Sequence, residues 1–210
     1  MNNENHKHFK KTCSYYDNGG EKMATKIFID PGHGGFDPGA VGNGVTEQAV
    51  NLNVATYLTE ILRNNGYEVM QYRTTRDENV LSNKNADLSN RANMANNWGA
   101  DYFISIHTNS SLNPSANGFE AYVYRLNSVS EDLAQSIVDS VVSNLGSKDN
   151  GVRQANFAVL RRTRMPATLL ELGYLTNPTE ALNLNSSAWQ RKMAQSIYYG
   201  INNFVNKRDV

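Results

Sequence analysis

The chain has four histidines, His6, His8, His33 and His107. His33 follows the run Ile27-Phe28-Ile29-Asp30-Pro31-Gly32, and His107 closes the run Tyr102-Phe103-Ile104-Ser105-Ile106. Both runs read as strands buried on two faces, as in a parallel sheet. If the strands run parallel, the two imidazoles emerge at the same sheet edge. Glu47 opens the helical stretch after the first strand, and such a helix begins at the carboxyl end of its strand. Glu47 therefore belongs to that edge too, where the helix N-terminus favours its anionic form. Two imidazoles and a carboxylate with an open fourth position make a catalytic zinc set. Nitrogen donors with one oxygen suit Zn²⁺ better than Mg²⁺ or Ca²⁺.

Each residue also has a purely structural reading. A histidine at a strand end can be satisfied within the fold, and Glu47 can be an ordinary acid in a first helical turn. Glu171, embedded near the end of a third apolar run, can be a buried carboxylate paired with Arg91 or Arg161. The readings as a site gain weight together, because all four groups fall on one edge beside glycine-rich loops.

The elements that must position them follow from periodicity. After Ile27-Phe28-Ile29, Pro31 ends the ladder for lack of an N–H. A loop rich in glycine (Gly32, Gly34, Gly35, Gly39, Gly42, Gly44) then runs to Val45 and lets backbone approach a ligand closely. A helix is expected over 46–65, with Thr46 as N-cap, one apolar face (Val50, Val54, Leu58, Leu62) and Gly66 as its stop. Strands are expected over 67–72, 102–107, 119–125, 157–161 and 167–172. Helices are expected over 88–98, 129–145 and 187–204, with a short one starting at Asn177-Pro178. Strands alternating with helices predict one three-layer α/β domain. Its sheet is twisted, largely parallel but mixed, of about six strands, with helices on both faces.

Composition narrows the function. Lys+Arg and Asp+Glu both number 20, so the formal net charge is zero, and no basic excess points to nucleic acid. The single cysteine, Cys13, excludes an intramolecular disulfide and a cysteine-based zinc site. No apolar run is long enough to span a bilayer. Gly32-His33-Gly34-Gly35 fits neither the phosphate-loop nor the dinucleotide spacing, which argues against a nucleotide site.

Four ordered motifs carry a family resemblance. Asp30-Pro31-Gly32-His33-Gly34-Gly35, followed by Asp37, Gly39 and Ala40, resembles the opening motif of the zinc-dependent N-acetylmuramoyl-L-alanine amidases of the amidase-3 type. Glu47 stands at that family's spacing for its second zinc ligand. Ser105-Ile106-His107-Thr108-Asn109 resembles its third-ligand segment, in which alanine is commoner where Thr108 stands. Pro166 and Glu171-Leu172-Gly173-Tyr174-Leu175-Thr176-Asn177 resemble its catalytic-glutamate segment. Arg91-Ala92-Asn93, Gly118-Phe119-Glu120 and Arg153 also fit, so the resemblance covers residues 26–205.

The resemblance implies one Zn²⁺ per chain held by His33, Glu47 and His107. It implies Glu171 as general base and then general acid. The bond cut would join the lactyl group of N-acetylmuramic acid to the L-alanine of the peptidoglycan stem peptide. Asn109, Asn117 and Arg153 are candidates to seat substrate, and Asp30 and Asp37 are expected to shape the loop rather than bind metal. A monomer is expected, with peptidoglycan as its partner. A stem-peptide carboxypeptidase is an alternative, with Arg161, Arg162 and Arg164 as its cationic pocket. A non-catalytic wall-binding module is another, although Glu171 would then be a buried acid without work to do.

Residues 1–24 read as a tail and 25–206 as the catalytic domain. The tail is polar, lacks the apolar region of a signal peptide, and holds His6 and His8, which are expected to stand apart from the chemistry. An enzyme made in the cytoplasm and admitted to the cell wall later is therefore expected. Gly19-Gly20-Glu21-Lys22 can be encoded by a purine-rich run resembling a ribosome-binding site, which makes Met23 the expected start of translation. A chain starting at Met23 should keep the melting temperature and activity of the full chain, compared by calorimetry and wall turnover. Loss of folding on that truncation would show that the tail packs against the domain.

Overall fold

The computed structural model describes residues 14–16 and 22–208. Ser14–Tyr16 (β1) pairs antiparallel with Lys22–Ala24 (β2), within the stretch expected to be a tail. The rest of that stretch, with His6, His8 and Cys13, lies outside the described residues.

The domain then runs through Lys26–Pro31 (β3), Val41–Gly42 (β4), Val45–Thr46 (β5), Glu47–Asn64 (α1) and Glu68–Gln71 (β6). Lys84–Trp98 (α2), Tyr102–Asn109 (β7), Phe119–Val123 (β8), Val129–Leu145 (α3) and Asp149–Gln154 (β9) follow. Ala158–Arg162 (α4), Ala167–Tyr174 (β10), Pro178–Leu184 (α5) and Ser187–Arg208 (α6) complete it.

Six strands form one sheet in the order β6-β3-β7-β10-β8-β9. The first four are mutually parallel, β8 runs antiparallel to β10, and β9 runs parallel to β8. This is the mixed, mostly parallel α/β sheet that the alternation of elements predicts. Pro31 still lies in register opposite Ile106, and the Gly32 N–H donates to the Ile106 carbonyl at 2.9 Å. The ladder thus runs one residue past the proline before it ends.

The two faces of the sheet differ. Ile27, Ile29, Ile104, Ile106, Leu170 and Leu172 pack against α1, α3 and α6 through Val54, Leu58, Ile137, Val138, Ile197 and Ile201. Phe28, Phe103, Ala167 and Leu169 face the other way, onto a smaller cluster with Ala95 of α2 and Val159 and Leu160 of α4. On that second face the alternation continues to Asp30, to Ser105 and His107, and to Glu171. Each strand therefore begins apolar and ends polar on the side that α2 and α4 cover. The antiparallel β8 brings its N-terminal end, with Glu120 opposite Glu171, to the same edge.

Besides the β1–β2 pair in the expected tail and the short β4–β5 pair in the expected glycine loop, three elements differ from the sequence expectation. The expected strand over 157–161 is the short helix α4, with Val159 and Leu160 buried; a short apolar run does not distinguish strand from helix by its period. The edge strand β9 has the polar sequence Asp-Asn-Gly-Val-Arg-Gln, with none of the usual strand composition. Helix α2 begins earlier than Leu88, because the Asn83 side chain accepts from the Ala86 N–H at 3.0 Å and caps a polar first turn.

Helices α3 and α6 cross where Gly200 removes a side chain. A β-carbon there would stand 2.5 Å from Ile137 Cα and 2.7 Å from the Ser136 carbonyl oxygen, both backbone atoms. Alanine would raise helix propensity by about 1 kcal/mol, but the clash forces the helices apart and overpacking costs ~1–3 kcal/mol. Gly200→Ala should therefore lower stability, read as a reduced urea midpoint, and an increased midpoint would show that the crossing yields freely.

Candidate metal centre

Three stretches bring His33, Glu47 and His107 together at the carboxyl edge. Their ligand atoms all lie within 4.8 Å of one another. Glu47 Oε1 stands 3.2 Å from His33 Nε2 and 3.0 Å from His107 Nδ1, and it also accepts from the Thr108 N–H at 3.1 Å. Its second oxygen accepts from the Ala40 N–H at 2.8 Å. Glu47 is thus fixed by backbone on both sides, while Thr46 occupies the N-cap without a side-chain capping bond. One turn along α1, Asn51 donates to Glu47 and to the Gly32 carbonyl.

The imidazole of His107 lies against the backbone of Gly32. A β-carbon at Gly32 would stand 2.2–2.7 Å from three atoms of the ring, so the ring position depends on glycine. His33 itself sits in the left-handed region, at φ 60°, which costs a residue with a side chain roughly 1–2 kcal/mol. Two fully buried arginines hold it there. Arg91 donates to the carbonyls of Pro31 and His33 at 2.9 and 2.8 Å while pairing with Asp30 and Asp87, both at 2.7 Å. Arg73 donates to the carbonyls of His33, Gly32 and Gln48 at 2.9, 2.9 and 3.0 Å. Burial, and then Arg91 nearby, lower the pKa of Arg73 to about 10, which leaves it charged at neutral pH.

Asp30 and Asp37 both bond to groups around the loop. Asp30 accepts from Arg91 and from Ser105 Oγ. Asp37 Oδ2 lies 3.0 Å from His33 Nδ1 and its Oδ1 accepts from the Gly39 N–H at 3.0 Å, which sets an acid beside the ring whose other nitrogen faces Glu47. Such an outer partner on a ligand imidazole is the usual arrangement in metal sites.

Glu171 is directly across from His107 on the neighbouring strand and across from Glu120 on the other side. Its Oε2 is shut off from solvent and has no hydrogen-bond partner. Arg91 is committed to Asp30 and Asp87, and Arg161 bonds Asn156, so neither pairs with Glu171. Burial, and then the neighbouring Glu47 and Glu120, push its carboxyl well above the ordinary range. Burial alone would raise Glu47 as well, but the hydrogen bonds from His107 and His33 outweigh it and hold that carboxyl well below its ordinary value. Burial opposes a charge on His33, yet Glu47 and Asp37 raise its pKa.

The donor set fits a divalent cation. Two imidazole nitrogens and an anionic carboxylate converge, and a cation among them would offset the crowd of Glu47, Glu120 and Glu171. A cavity of about 270 Å³ opens beside them, lined in part by His33, His107, Glu171, Phe157, Val159 and Leu169. Arg161, Arg162 and Arg164 do not line it; Arg162 instead donates to Ser89 of α2.

Of the candidate substrate residues, Asn109 has its amide nitrogen on Glu120 and its oxygen on the Ser110 N–H. Asn117 donates to the Ser115 carbonyl at 2.8 Å, within its own loop. Arg153 is half exposed and its Nε lies 3.2 Å from Glu120 Oε2. Glu120 is buried and also accepts from the Tyr174 hydroxyl at 3.0 Å. Burial and Glu120 push the pKa of that hydroxyl up to about 12, so it keeps its proton to donate. Arg73 and Asn51 are members of the site that the sequence reading does not name, and Glu120 enters it only within the motif Gly118-Phe119-Glu120, without a role. Each acts through a tertiary contact with no local pattern.

Comparison with known proteins agrees with this geometry. A family model described as Amidase_3, N-acetylmuramoyl-L-alanine amidase, matches residues 27–203. The sporulation-specific N-acetylmuramoyl-L-alanine amidase of Bacillus subtilis (strain 168) is 40% identical over 182 residues, 86% of this chain and 68% of that protein. The endolysin of Bacillus phage SPP1 is 34% identical over 190 residues, 88% of this chain and 67% of that protein. The crystal structure of the N-acetylmuramoyl-L-alanine amidase from Clostridium difficile 630 superposes with a TM-score of 0.81 at 34% identity, covering 88% of this chain and 98% of that one. With its motifs, its fold and these matches in agreement, this chain belongs to the Amidase_3 family of N-acetylmuramoyl-L-alanine amidases.

Proposed function

We propose that this chain hydrolyses the amide between N-acetylmuramic acid and the L-alanine of the peptidoglycan stem, with one Zn²⁺ held by His33, Glu47 and His107. It acts on the cell wall as a monomer, and no helix among the described residues is long and apolar enough to cross a membrane. The observation that carries the reading is Glu171, a carboxylate without a cation beside a cluster of three ligand groups.

Zn²⁺ bound there supplies a Lewis acid that polarises the scissile carbonyl and makes water acidic enough to lose a proton at neutral pH. Glu171 accepts that proton at Oε2 and returns it to the departing amine, as a general base and then a general acid. Burial, with Glu47 and Glu120 nearby, raises this carboxyl and so favours the protonated form that returns the proton to the amine. Asp37 holds the His33 ring and Gly32 the His107 ring, so both imidazoles are aimed before substrate arrives. The cavity walls formed by Phe157, Val159 and Leu169 keep water away from the proton-transfer site. Arg153, at the far side of Glu171, contacts substrate. Asn109 contributes by holding Glu120 in place.

Chelation should abolish wall turnover and added Zn²⁺ should restore it, with one zinc per chain by mass spectrometry. Full activity in a metal-free preparation would overturn the zinc assignment. Two substitutions separate base from ligands. Glu171→Gln should keep zinc and lose roughly two to four orders of magnitude in rate, because the amide cannot take a proton. His107→Ala should lose the metal, and with it the stability that metal binding adds to the folded form. Near-normal hydrolysis by Glu171→Gln would remove the base role, and loss of its zinc would make Glu171 a ligand.

A further inference from the structure

Glu120 is a buried carboxylate that the proposed reaction does not use. It is 1% exposed, and burying such a group costs several kcal/mol unless it is well paired. Asn109 and Tyr174 bond to its Oε1, while its Oε2 has no hydrogen bond and is offset by the Arg153 guanidinium, an ion pair with Nε at 3.2 Å. The Arg153 Nε–H itself donates to the Asn150 carbonyl at 3.3 Å. The two terminal amino groups of that guanidinium bond to no described residue, and the side chain is 53% exposed. The Asn150 carbonyl and the charge of a buried acid thus hold a surface arginine at its inner nitrogen and leave the outer fork open. That fork has the geometry of a carboxylate receptor, fixed in advance rather than gathered on binding.

The sheet order says which part of the substrate meets it. His33 stands on the loop after β3, His107 on β7, Glu171 on β10, Glu120 on β8 and Arg153 on β9, in the order of the strands. The scissile carbonyl must face the ligand cluster, and the departing amine must lie where Glu171 can protonate it. The peptide that continues from the amine therefore runs outward over β8 and β9, and the glycan lies on the other side. Arg153 is two strands beyond Glu171, roughly 10 Å at the usual spacing, and its side chain leans back toward Glu120. That lean brings the fork to about one strand spacing, ~5 Å, from Glu171, and a chain advancing about 3.5 Å per residue covers this within one to two residues, so the residue after the alanine comes within its reach.

We infer that Arg153, held by Glu120, receives a free carboxylate on the residue that follows the scissile L-alanine in the stem peptide. Glu47, Glu120 and Glu171 would repel such an anion, and Arg153, paired with Glu120, is a cation on this side; Lys84, at the other end of the cavity, lies 3.6 Å from Asp37. The inference rests on the amidase reading. It adds a specificity: the enzyme distinguishes a stem with a carboxylate at this position from one with a carboxamide.

The test uses the full chain with its metal and two glycan-linked stem-peptide preparations. These differ only at the α position of the γ-linked D-glutamate after L-alanine, a carboxylate in one and a carboxamide in the other. The wild type should favour the carboxylate by on the order of ten- to a hundred-fold in kcat/KM, the worth of a charge-assisted hydrogen bond. Arg153→Gln should bring that ratio to about one, and Arg153→Lys should leave an intermediate ratio, because the ammonium keeps the charge without the fork. Bound metal and melting temperature, measured alongside, separate loss of recognition from loss of fold. Equal wild-type rates on the two preparations, or a preference that survives Arg153→Gln or is undiminished in Arg153→Lys, would overturn the assignment and leave the amidase reading standing. Failure to release stem peptide from either preparation would instead defeat the amidase reading itself.

Discussion

Everything at the carboxyl edge depends on two buried guanidinium groups that hold a loop by its carbonyls. Arg73 and Arg91 share the carbonyl oxygens of Pro31 and His33, and Arg73 takes that of Gly32 as well. Those carbonyls lie where the strand runs out, and without the arginines the Gly32 carbonyl would keep only Asn51 as a donor. The arginines also fix the backbone of a histidine that would otherwise avoid its left-handed conformation. Strain concentrated at a functional residue persists only where surrounding structure outweighs it. Here that structure is cationic, buried and unable to move independently of Asp30 and Asp87.

The asymmetry of the two sheet faces follows from the same arrangement. Helices α1, α3 and α6 cover one face with an apolar layer that supplies most of the hydrophobic burial. The other face has a smaller apolar cluster under α2 and α4, and above it a polar zone. Arg91 projects from α2 into that zone and completes Asp30, so one of the two covering helices is itself part of the site's support. Packing and catalysis are thereby divided by face, and the polar network is borne by a domain whose stability is secured elsewhere.

Much of this was legible in residue order. Strands that end in His33 and His107, and a helix that starts at Glu47, place three donors on one edge by the geometry of parallel βα units alone. Glu171 was legible as a polar residue where an apolar strand ends. Period and composition do not reveal groups that act across the fold. Arg73 follows a strand and resembles any polar linker residue, yet it is fully buried. Glu120 looks like an outward-facing residue of an alternating strand until the antiparallel pairing sets it opposite Glu171. The strand β9 escaped because its pairing comes from its neighbour's edge rather than from its own side chains, and α4 escaped because one helical turn leaves no period to read.

Strand β9 has a further consequence, for association between molecules. It is the outer strand of the sheet, and an outer strand offers unpaired peptide groups to any other chain that can lie alongside. Its register is broken opposite Phe119 and Ala121, Gly151 turns through a left-handed conformation, and Asp149 and Arg153 place charge on it. These features make it a poor template for a second molecule. A sequence better suited to a strand, with valine for Gly151 and Arg153, would pair more smoothly with β8 and would also present a flat, apolar margin on which copies of the protein could stack into fibrils. The irregularity of this strand disfavours edge-to-edge pairing between copies of the chain.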